Sequence, residues 1–221
     1  MLENFKENCT KHIVIILEVN PTVDALSCGS ALYSYFLSLH KKVSFYCPEF
    51  DFDLNLNFIP WIDKLKTSYP SSADYAIRAD SCIGLFKYFM SKNIKLNVKM
   101  ATSLYAGLLD ATNGFTKNLD GITFAMADLL VKNKAEVNLC NENLLNYQSL
   151  ATLRLKIILL NKIKLVEEGS LALFELDDND LISSGAKIMD SYSIVKEALG
   201  LPTVKSVIVL YKNKEIIKEG F

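Results

Sequence analysis

No apolar run in these 221 residues reaches the roughly 18 to 20 that a membrane helix needs. The longest, Ile13–Leu17 and Ile157–Leu160, are core-sized, so membrane insertion is not expected despite a mean hydropathy of +0.19. No Cys-x-x-Cys pair occurs: Cys9, Cys28, Cys47, Cys82 and Cys140 lie far apart, and their odd number argues against a disulfide framework. They read as small buried hydrophobes. The charged Met1–Lys11 segment has no apolar stretch ahead of a small-residue cleavage site, which predicts no signal peptide and a cytoplasmic protein. Basic residues are scattered and the net charge is −1, so the electrostatic footprint of a protein that binds duplex nucleic acid is missing. Internal repeats and low-complexity linkers are also lacking.

What is present is enough for a globular core. Half of the residues are hydrophobic and 22% are charged, which excludes disorder on composition. His12-Ile-Val-Ile-Ile-Leu17 has the continuous β-branched character of a buried parallel strand. Asp24 then stands as helix N-cap, and Ala25, Cys28, Leu32, Phe36 and Leu39 recur on one helical face. Val43–Cys47 completes a β-α-β unit. A short helix near Trp61–Lys66, a third strand over Ala73–Ala79 and helices at Ile83–Met90, Lys99–Leu109 and Ile122–Val131 follow.

A long helix is expected next, because Leu144, Tyr147, Ala151, Leu155 and Ile158 form one apolar stripe and Leu150, Leu153, Ile157 and Leu160 another. Beyond Gly169 come a strand at Leu171–Leu176, a helix within Leu181–Ala198, and strands at Val204–Tyr211 and Glu215–Lys218. The expected organisation is α/β in two lobes: residues 1–140 around a parallel sheet, a connecting helix over 141–168, and a small α/β lobe over 169–221.

The stretch Leu17-Glu-Val-Asn-Pro-Thr-Val-Asp24-Ala-Leu-Ser-Cys-Gly-Ser-Ala-Leu32 resembles the first motif of the DHH phosphoesterases, His-x-Asn-Pro-Asp-Gly-Asp-Ala. The strand ending in Asp80 resembles the family's second motif. Met100–Leu109 with Thr112-Asn-Gly-Phe115 resembles the segment of its fourth, Asp-Thr-x-x-Phe, and Leu153–Leu176 the start of its DHHA1-type companion lobe. These segments are patchy but span most of the chain in the family's order, and they point to the nano-RNase, pAp-phosphatase and RecJ-like branch. The resemblance implies a DHH-like parallel-sheet lobe followed by a truncated DHHA1-like lobe.

The family's chemistry uses two divalent ions to activate water at a phosphate, and the matching positions here are depleted. Glu18 stands for the first-motif His, Asn20 matches the family's Asn, Thr22 stands for the first Asp, and Asp24 and Asp80 match the family's acids. Ala111 takes the fourth-motif acid position. Asp110 is adjacent, and a helical rotation of about 100° per residue turns it away from the direction Ala111 faces. The Asp-His-His signature does not follow Asp80, His12 and His40 match no motif position, and Phe221 comes before the family's Gly-Gly-Gly-His segment. Glu18, Asp24 and Asp80 are weak metal candidates, enough for a loosely held Mg²⁺ or Mn²⁺ but not for a tight binuclear centre; no cofactor is expected. Asp24 also reads simply as a helix N-cap, and Glu18 and Asp80 as solvated loop acids. Gly29 would let an anion approach free backbone N–H groups.

The expectation is a catalytically inactive homologue acting as a protein-binding, structural or regulatory subunit, with a protein partner or a homodimer. Phe50–Trp61 and Val204–Phe221 are the expected contact segments. The alternatives are a metal-dependent phosphoesterase on small nucleotides with a rebuilt site using Glu18, Asp24 and Asp80, and a small-nucleotide sensor.

Overall fold

The computed structural model describes residues 10–50, 54–212 and 214–220. The chain divides into two units, Met1–Tyr147 and Gln148–Phe221. Cys9 and the Met1–Cys9 part of the leading segment lie outside the described residues, as do residues 51–53, 213 and 221 of the two expected contact segments.

In the first unit, β1 (His12–Ile16), β2 (Lys42–Tyr46), β3 (Leu65–Lys66) and β4 (Tyr75–Arg78) form one sheet in the order β3-β2-β1-β4, with every pairing parallel. The apolar run predicted β1 for a physical reason that holds: Ile13, Val14 and Ile15 are all fully buried, as in a central strand covered on both faces. Helices α1 (Val23–Ser38), α2 (Cys82–Ser91), α3 (Val98–Ala111), α4 (Gly121–Lys132) and α5 (Val137–Asn141) complete the unit. Its core joins Ile13 and Ile15 with Leu32 and Phe36 of α1, Leu85 and Phe89 of α2, and Leu104 and Leu108 of α3.

Gly29 has a packing role rather than an anion-binding one. It is buried, and a Cβ placed there would lie 2.6 Å from the Phe45 ring, so its lack of a side chain lets α1 approach β2. Cys28, Cys47, Cys82 and Cys140 are free and buried, in line with the reading of cysteine as a small hydrophobe.

The expected helix over 141–168 is not continuous. A wide π turn (Glu142–Asn146) follows α5, Tyr147 is extended, and a new helix, α6 (Leu150–Asn161), begins behind Ser149, whose Oγ accepts from the Thr152 N–H at 3.0 Å. A periodic apolar pattern runs across this break, but the serine cap restarts the helix.

The second unit holds α6, β5 (Lys164–Val166), β6 (Leu171–Leu176), α7 (Asp178–Ser184), α8 (Tyr192–Leu199), β7 (Ser206–Tyr211) and β8 (Lys214–Gly220). The sheet order is β5-β6-β7-β8, with β6 and β7 parallel and the two edge strands antiparallel to them. The single helix expected within Leu181–Ala198 is two, because Gly185 at φ +73 ends α7 in the left-handed conformation. Leu155 and Leu159 of α6 join Phe174, Ile194, Val207 and Val209 in a separate core. Among the described residues no helix is long and apolar enough to cross a membrane.

Candidate functional site

In parallel α/β sheets, ligands gather beyond the carboxyl ends of the strands. Here that edge is formed by the residues after β1 and β4 and by the first turns of α1 and α2. The chain leaves β1 through exposed Glu18, Val19 and Asn20; Asn20 adopts φ +48 and its N–H donates to the Glu49 carbonyl at 3.2 Å. The N-cap of α1 is Thr22, not Asp24: its Oγ1 accepts from the Ala25 N–H at 3.2 Å. Asp24 sits inside the first turn, and this frees its carboxylate to cap a different helix.

That helix is α2. Asp24 Oδ1 accepts from the Cys82 N–H at 2.8 Å, at a helix start where Ser81 makes no side-chain cap bond of its own. A second carboxylate completes the pattern, since the Asp24 N–H donates to Asp110 Oδ2 at 2.9 Å. The expectation that Asp110 points away from the site is therefore overturned. Rotation per residue fixes only the angle between neighbouring side chains; packing of α3 on α1 decides which of them reaches the start of α1, and it is the exposed Asp110. Ala111 ends α3 with no donor atom in its side chain, and its carbonyl accepts from Asn118 Nδ2 at 3.2 Å.

Two carboxylates thus each lie at the N-terminal end of another helix, where the partial positive charge of free N–H groups favours an anion. The close approach needs Gly107. A Cβ there would lie 2.2 Å from Cys82 Sγ and 2.8 Å from Asp24 Oδ1. Burial raises the proton affinity of Asp24 above that of an ordinary carboxylate; the bonds from Cys82 act against this shift and the nearby Asp110 charge adds to it. Cys82 is fully buried, which pushes its thiol well up and makes it a poor nucleophile.

Glu18 is exposed and its carboxylate faces Arg78 Nη1 at 3.5 Å. Asp80 is exposed just past β4, so Asp24, bonded to residue 82, reaches the same sheet edge. The sequence reading placed Thr22 at a motif position without its role as the α1 cap and turned Asp110 away from the site, and it missed Gly107. Only Thr22 left a local signal, as a residue with strong N-cap preference ahead of the apolar helix.

The residues form no ready-made cage for a divalent ion, with Asp80 left as an exposed acid past β4. One Asp24 oxygen is held by a backbone N–H, Glu18 faces a guanidinium, the Thr22 hydroxyl caps α1, and the Ala111 side chain offers no donor. Among the described residues no group of three or more His, Cys, Asp or Glu side chains could hold a metal. A free anion also finds the first turn of α1 occupied: the Asp24, Ala25 and Leu26 N–H groups bond to Asp110 Oδ2, Thr22 Oγ1 and the Thr22 carbonyl.

An open cleft in the second unit, lined in part by Lys162, Lys164 and Lys212, offers little more. Each lysine already has an acid: Lys162 has Asp180 at 2.6 Å, Lys164 has Glu175 at 2.8 Å, and Lys212 has Asp178 at 2.9 Å.

No protein-family model matches the chain, and no curated protein matches it. Among solved structures it is similar to an exopolyphosphatase-related protein from Bacteroides fragilis, with 18% identity and a TM-score of 0.80 over 93% of this chain and 77% of that one. A Methanococcus jannaschii protein provisionally described as a family II inorganic pyrophosphatase aligns at 13% identity over 91% of this chain and 64% of that one; its TM-score of 0.32 adds nothing to the assignment. The first likeness establishes the fold class: this is an α/β chain with the fold of the exopolyphosphatase-related protein.

Proposed function

We propose that the chain is a catalytically inactive relative of the DHH phosphoesterases that serves as a protein-binding or regulatory subunit. The observation that carries this reading is the exchange of caps at the sheet edge. Asp24, which matches a family acid, bonds the start of α2, and Asp110, next to the family's fourth acid position, bonds the start of α1. A carboxylate held this way stands where a phosphate would dock and has lost one face for an ion. The fold shared with the exopolyphosphatase-related protein and the order of the matching segments support a common origin.

The test is turnover. With Mn²⁺ or Mg²⁺, no hydrolysis of pAp, short oligoribonucleotides, cyclic dinucleotides, pyrophosphate or polyphosphate is expected. Hydrolysis that disappears in an Asp24→Asn/Asp80→Asn variant would overturn the reading in favour of a rebuilt metal-dependent site.

A further inference from the structure

Helix α6 has two apolar faces and its own unit covers one. Leu155 and Leu159 are fully buried, whereas Leu150, Leu153, Ile157 and Leu160 are 61%, 41%, 52% and 41% exposed. At about 100° per residue, the two sets point in opposite directions. The exposed set repeats at intervals of three, four and three residues. That is the narrow seam of a coiled coil, shaped to receive another helix, and not the broader stripe that packs on a sheet.

The flanks of the seam say what kind of helix. Arg154 lies along one side and Lys156 along the other, and Leu150–Asn161 contains no acid. Lys156 bonds Glu197 at 2.5 Å, so Arg154 carries the main open charge. A second copy of the chain matches poorly. Antiparallel self-pairing would set each Arg154 against its own counterpart and each Lys156 against its own, and like charges at flanking positions disfavour a pairing.

We propose that the α6 seam docks an amphipathic helix of a protein partner whose flanking positions are acidic. This rests on the reading of the chain as a protein-binding subunit and names the partner's chemistry. Two heptads bury less than a standard stable interface, so the contact is expected to be weak and exchangeable.

The test titrates the full chain against a synthetic three-heptad peptide with Leu at its seam positions and Glu at its flanks, beside a twin with Lys flanks, by fluorescence anisotropy. The Glu-flanked peptide should bind about tenfold tighter. Arg154→Glu should remove or invert that preference. A Leu153→Ser/Ile157→Ser variant should lose binding while keeping its melting temperature, since both side chains face solvent. Equal affinity for the two peptides, or binding that survives the double variant, would overturn the proposal. So would self-association abolished by that variant, cosedimentation with phosphatidylserine vesicles in place of peptide binding, or a large loss of melting temperature, which would mean a seam already covered in the free chain. Hydrolysis by the same preparation would instead overturn the inactive-homologue reading and leave the peptide result standing.

Discussion

The two units hold a half-buried and a buried carboxylate in opposite ways. In the first, Asp24 meets a backbone N–H and sits close to a second acid, with no cation among its hydrogen-bond partners. In the second, Asp180 is 5% exposed, accepts from the Asp177 N–H, and receives Lys162 Nζ at 2.6 and 2.7 Å. The second arrangement is an ordinary structural ion pair closing a capping box. The first has a raised proton affinity, caused by burial and added to by the neighbouring Asp110 charge.

Glycine substitutions should separate the two units most sharply. Gly107→Ala drives a methyl group into Cys82 Sγ and Asp24 Oδ1 and is expected to cost about 3 kcal/mol, near the upper end for overpacking. Gly185→Ala meets nothing within 4 Å, so only its left-handed backbone opposes the change, at about 1 kcal/mol. Urea denaturation of both variants checks the contrast; equal losses would break it.

Removal of each acid comes next. Asp180→Ala strips Lys162 and the Asp177 N–H of their partner at once and should cost about 2 kcal/mol. Asp24→Ala removes one cap bond and should cost about 1 kcal/mol. Asp24→Asn keeps an oxygen for the Cys82 N–H and sheds a half-buried charge, so it is expected to match or exceed the wild type in thermal melts at neutral pH. A large loss in Asp24→Asn would show that the negative charge itself is needed.

The pH dependence should differ in sign. For Asp24 the folded state holds the proton more tightly than the unfolded one, so its contribution is most favourable below the ordinary carboxylate value of 3.8 and is lost as pH rises through the raised folded value. Asp177 and Asp178 behave in reverse. The Asp180 N–H, and for Asp178 the Tyr211 hydroxyl and Lys212, hold them below 3.8, so their contribution is present above that value and is lost as pH falls beneath it. Residue-resolved hydrogen exchange at several acidic pH values should show protection around α7 declining with acid while the start of α2 does not decline with it.

Much of this fold was legible from local pattern. The run His12–Leu17, the periodicity from Ala25 to Leu39 and the strand leading to Asp80 carry the parallel sheet, because continuous burial and a helical repeat leave direct marks in composition. β3 and β5, at two and three residues, are too short to leave any. The break before α6 was hidden by an apolar pattern that runs through it, although Ser149 was there to be read as a cap. The site was less legible than the fold. Asp24 and Asp80 could be placed at one sheet edge from the motifs, but the Asp110 contact depends on how α3 sits against α1, and Gly107 matters only through a distance that no spacing encodes.

The central claim is that Asp24 serves as a helix cap and not as a ligand for an ion. Calorimetric titration of Mn²⁺ into the full chain, beside the Asp24→Asn variant, tests it most directly. The account predicts no saturable heat with millimolar Mn²⁺ and identical traces for the two proteins. Stoichiometric binding in the wild type that is lost in Asp24→Asn would contradict it.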